Sequence, residues 1–103
     1  MTFSERVFTI DSHGIITSFN RSLEKLFGYH STEMVGENIT EIFPSFMKLF
    51  TDMGYIDFTS HGEFNNVIGK QRNGADLTLK VVISEIKLAN RTVYSGFVHN
   101  LLN

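Results

Sequence analysis

The spacing of apolar residues along this chain changes twice, from two to three-or-four and back to two. Arg6 to Asp11 alternate Phe8 and Ile10 with Val7 and Thr9, reach Ser12-His13-Gly14, and continue into a second β-rich stretch, Ile15 to Phe19. Alternation on both sides of a Gly-ended turn predicts a hairpin. Asn20 then precedes Leu23, Leu26 and Phe27, whose spacing puts them on one helix face. An Asn side chain accepts well from the free N–H groups of a helix start, and Gly28 suits its end. Ser31 is placed to cap a short turn through Met34 and Val35 that stops at Gly36. Asn38 with Glu41 three residues on resembles a capping box, and Pro44 blocks continuation. Beyond it, Phe46, Leu49, Phe50 and Met53 fall at i, i+3, i+4, i+7, which predicts a helix with one apolar face, closed by Gly54.

From Glu63 the period returns to two. Glu63 to Gln71 reads as a strand, Asn73-Gly74 as the dipeptide of a two-residue primed turn, and Leu77, Leu79, Val81 and Ile83 alternate with polar or smaller residues. Ala89-Asn90-Arg91 predicts another turn before a last strand from Thr92 to Leu101. Two strands, several short helices and three strands, in that order, give an α+β fold with helices segregated on an antiparallel sheet.

Length and composition narrow the function. At 103 residues the chain is one domain, 1–103, and its ten Phe suffice for a core. A net charge of −2 with scattered basic residues argues against nucleic acid as a partner. With no cysteine, there is no disulfide, thiolate nucleophile or thiolate-bound metal. Neither a leader-like N-terminus nor a run of roughly twenty apolar residues is visible, so direct membrane contact is not expected and a cytoplasmic location is. The carboxylates give no catalytic pattern. Asp11 and Asp76 adjoin turns, Glu33 and Glu41 lie at helix starts, and Asp52 and Asp57 flank a helix end. No Ser-His-Asp spacing or phosphate loop stands out, and the domain is read as non-catalytic.

Several of these segments together resemble a known family. Asp11-x-x-Gly14-x-Ile16-x-x-x-Asn20, Leu26-Phe27-Gly28-Tyr29 and Glu33-Met34-Val35-Gly36 are similar to the first half of PAS domains. Gly69-Lys70-Gln71-Arg72-Asn73-Gly74 and Tyr94-x-Gly96-Phe97-Val98 are similar to the second. The resemblance implies a five-stranded antiparallel sheet with several short helices packed on one face. It also implies a sensory and interaction module of a larger signalling protein, whose parent is a kinase, cyclase, two-component or transcription regulator.

In many members a pocket lies between sheet and helices. Here that resemblance places Phe46, Leu49, Phe50 and Met53 opposite Leu79, Val81, Ile83 and Val98, where they either line a small-molecule pocket or fill it as a solid core. Asn65, Asn66, Tyr55, Tyr94 and His61 are the polar groups near that space. Strand alternation sends Asn65 and Asn66 to opposite faces, so at most one, Asn65 in this reading, faces the pocket.

No cofactor is expected. Light-oxygen-voltage and yellow-protein members need a cysteine, and the flavin redox type usually offers a tryptophan; the chain has neither. Haem members use a histidine on the helix after the Pro44 region, and Ser45 to Phe58 has none. His61 is assigned to a loop, and His13, His30 and His99 to the surface. On the other sheet face, Val82, Val93 and Phe97 form an apolar patch with Ile86, and family members commonly pair through that face. A homodimer, or docking of the parent's own signalling domains, is therefore expected. At the exit, Asn100-Leu101-Leu102-Asn103 stands where the family has an Asp-Ile-Thr-like step, and suggests a module cut from a longer chain.

Overall fold

A computed structural model describes residues 5–58 and 62–101; His61 and the Leu102-Asn103 part of the exit lie outside the described residues. Five strands, β1 (Val7–Asp11), β2 (Ile16–Phe19), β3 (Glu63–Lys70), β4 (Asp76–Lys87) and β5 (Thr92–Asn100), form one sheet in the order β2-β1-β5-β4-β3. Each neighbouring pair is antiparallel. Between β2 and β3 lie α1 (Arg21–Phe27), α2 (Ser31–Met34) and two 3-10 helices, Ile39–Glu41 and Pro44–Leu49. The α+β class and the five-stranded antiparallel sheet read from the sequence are thus present.

Local chemistry explains most boundaries. Asn20 caps α1, its side chain accepting from the Leu23 N–H at 3.1 Å. The α2 start differs from expectation, because Ser31 is already helical and His30 is the capping residue; the Glu33 carboxylate accepts from the His30 N–H at 3.0 Å. Asn38 caps the first 3-10 helix by accepting from the Thr40 N–H, while its own amide donates to the His13 carbonyl and ties the helix to the first hairpin.

The Asn73-Gly74 turn also differs from expectation. The Gly74 N–H bonds the Gln71 carbonyl and the Gln71 N–H bonds the Ala75 carbonyl, with Gly74 at φ +88. Asn73 does not share that positive φ, so the loop is a three-residue turn closed by a left-handed glycine, not a two-residue primed turn, which needs φ > 0 at both positions. The β1–β2 hairpin closes the same way at Asp11, Gly14 and Ile15.

The core lies on the inward sheet face. Leu79, Val81, Ile83 and Val98 are buried as expected, with Tyr94 and Gly96 continuing the β5 row. Phe8 pairs across from Gly96, and its ring takes the space a side chain at 96 would occupy. On the helix side, Leu23, Phe27, Met34, Ile39, Ile42, Phe43 and Phe46 close the layer.

Candidate functional site

The interior between helices and sheet is filled by aromatic rings. Phe43 stands 6.0 Å from Phe8 and 5.1 Å from Phe46, and Phe46 stands 5.2 Å from Phe64. Phe58 continues the series, 5.8 Å from Phe64 and 5.0 Å from Tyr94. These separations are those of rings in direct packing. Burial, helped by the charges of Glu85 and Asp57, raises the Tyr94 phenol pKa, so it stays protonated. The rings occupy the space, and Ser45 to Phe58 beside it contains neither histidine nor cysteine.

The predicted apolar helix face does not hold together. The segment is a 3-10 helix that ends at Leu49, and its four residues go to four places. Phe46 is in the core, and Leu49 packs at its edge. Phe50, half-buried against the core, lies over the first hairpin, its ring 2.6 Å from where a Gly14 Cβ would stand. Met53 is 79% exposed in a turn and lines nothing inward. Nor is the segment held by apolar contacts alone. The Ile56 N–H donates to the Ser12 carbonyl at 2.8 Å, His13 Nδ1 meets the Gly54 carbonyl at 3.1 Å, and the His13 and Tyr55 rings stack at 4.5 Å.

Asn65 and Asn66 do not alternate across β3. Phe64 pairs with Val81 and Val67 with Leu79, so two asparagines oppose the single Lys80. Asn66 takes up the extra residue at φ 56. Both asparagines of this bulge line one groove of about 520 Å³ between β3 and the second 3-10 helix, together with Lys48, Leu49 and Phe64. Strict alternation hid the pair. Two adjacent asparagines, a type that tolerates positive φ, were the signal in the sequence.

On the outer sheet face the register builds a continuous row. Val7 pairs with Phe97, Phe97 with Val82, and Val82 with Glu63. Two pairs further along the sheet, Asp11, Val93 and Ile86 form a second row, with Thr9, Ser95 and Ser84 between them. Val82, Val93 and Phe97 are therefore brought to one face, as expected, and Val7 and Ile86 extend it. Ile86 is 41% exposed. His13, His30 and His99 are exposed, as expected.

The chain is similar to several known proteins. Over 108 residues the chain is 27% identical to the sensor protein FixL of Bradyrhizobium diazoefficiens, a match covering 97% of this chain and 21% of FixL. Over 67 residues it is 43% identical to the serine/threonine-protein kinase PSK1 of Saccharomyces cerevisiae, covering 59% of this chain and 5% of that kinase. The chain thus spans about a fifth or less of the length of these curated relatives. The solved PAS domain of a Desulfitobacterium hafniense protein superposes with a TM-score of 0.76 at 16% identity, covering 97% of this chain and 95% of that one. The family model described as PAS domain matches residues 4–102, and with the five-stranded sheet and its helical cover this chain belongs to the PAS domain family, the sensory modules of signalling proteins.

Proposed function

We propose that this PAS domain is one non-catalytic module of a longer cytoplasmic signalling protein and that it signals through its outer sheet face, with a filled interior in place of a bound haem, flavin or other ligand. The row Val7–Phe97–Val82 is the observation that carries the proposal. Apolar side chains aligned across three strands gain roughly 25 cal/mol for each Å² of apolar surface taken from water, and gain nothing while wet. Glu63 ends the row beside Val82, and Lys80 meets its charge there at 3.1 Å.

A second copy of the domain is the proposed partner, because a face with one apolar stripe and a polar border can meet its own image about a two-fold axis. The small-molecule reading in the space beneath Val81, Ile83 and Val98 is weaker, since the ring series from Phe43 to Tyr94 occupies that space. The kinds of protein in which the relatives occur, a sensor and a serine/threonine kinase, support a role in signalling.

Sedimentation equilibrium of the wild type and Val82→Lys tests the proposal. Lys at this position faces Glu63 across the strands, so the fold is retained while the stripe gains a charge. The expected result is a reversible wild-type dimer and a monomeric variant with a nearly unchanged melting temperature. A wild type that is monomeric at every concentration, or a variant that associates equally well, would overturn it.

A further inference from the structure

The groove between β3 and the second 3-10 helix is not used by the outer-face proposal, and it has the makings of a ligand site. Leu49 and Phe64 supply apolar walls over the buried Phe46, and Asn65 and Asn66 supply two carboxamides. Three charged residues line it, and two of them are already paired: Lys70 with Asp76 and Glu63 with Lys80. Lys48 has no carboxylate partner among the described residues.

The backbone points the same way. Holding a non-glycine residue at positive φ inside a strand costs of order 1 kcal/mol, and the bulge that holds it there sets two consecutive asparagines among the residues that line the groove. The space, about 520 Å³, lies within the range of roughly 300–1,000 Å³ typical of small-molecule sites.

We infer that this groove binds a small amphipathic anion, with a flat apolar body against Leu49 and Phe64, its anionic group at Lys48, and its polar edge read by the Asn65 and Asn66 carboxamides. Such a ligand bridges the helix and the edge strand of the sheet from outside. It needs no space inside the core.

Amide chemical-shift titrations with 2-naphthoate and with its neutral counterpart 2-naphthalenemethanol test this, on the wild type and on Lys48→Met. Naphthoate should shift the amides of Lys48, Asn65, Asn66 and Val67. It should bind about fivefold more tightly than the alcohol, the advantage one partly solvated charge pair supplies. Lys48→Met, at an exposed position, should keep the wild-type spectrum elsewhere and lose that preference. Equal affinity for the two probes, a preference that survives Lys48→Met, shifts centred on other residues, or no shift up to the solubility limit would each overturn the inference. Sedimentation reads the other sheet face, so failure here leaves the proposed association standing.

Discussion

Glu33 accepts a hydrogen bond from the His30 N–H and pairs with Arg72 of the β3–β4 loop, and Glu24 accepts from the Ser31 N–H. The backbone donor is the main reason that each carboxyl is held below its ordinary value of 4.5; for Glu33 the Arg72 charge adds to it. A folded pKa below the unfolded one means that the unfolded chain binds more protons in that window. The stabilisation is therefore present above the ordinary value and lost as pH falls through the folded one. Both groups are exposed, so the effect is small and screened by salt. The double variant Glu24→Gln, Glu33→Gln is expected to show a flatter loss of melting temperature than the wild type below pH 4.5. Thermal melts across that range check this, and parallel curves would count against it. Residue types at caps and turns were legible here, Asn20 and Gly28 above all, because one side chain or one φ decides them. The partner of Glu33 was not legible, since Arg72 lies 39 residues away and meets it only when the loop docks on α2.

At the scale of elements, the second 3-10 helix shows where periodicity misleads. A 3-10 helix repeats every three residues, so Phe46 and Leu49 share a side while Phe50, one residue past the end, does not. The i, i+4 and i+7 positions of the stripe had assumed a period of 3.6. Pro44 opens the helix, and Phe50, extended and bridged to Ile56, ends it before the stripe reaches Met53. Hydrogen bonds from Ile56 to Ser12 and from Asp57 to Leu49 then hold the segment down. The bulge at Asn66 is a second case, because alternation cannot register an inserted residue. The inward rows of β4 and β5, by contrast, were legible residue by residue, as burial on one sheet face enforces a strict period of two. Ile83→Phe tests the packing that these rows complete. With Phe58, Phe64 and Tyr94 filling the interior, the added ring should cost about 1 to 3 kcal/mol. Urea denaturation measures it, and a variant as stable as the wild type would reveal a cavity large enough for a ligand.

For the molecule as a whole, the order β2-β1-β5-β4-β3 sets the two faces apart. β5 lies at the centre of the sheet, so Phe97 sits between Val7 and Val82, and an apolar stripe crosses three strands. The sequence allowed the face of Val82, Val93 and Phe97 to be inferred from alternation, but Val7 joins it only through the pairing of β1 with β5, a contact between the two ends of the chain. A dilution series followed by amide chemical shifts tests the central claim most directly, because it reads the wild-type surface without a mutation. The amides of Val7, Val82, Val93 and Phe97 should move together with concentration, along one dimerisation isotherm, while those of the inward residues Leu79, Val81 and Val98 stay fixed. Concentration-dependent shifts confined to another surface, or none at any concentration, would contradict the account.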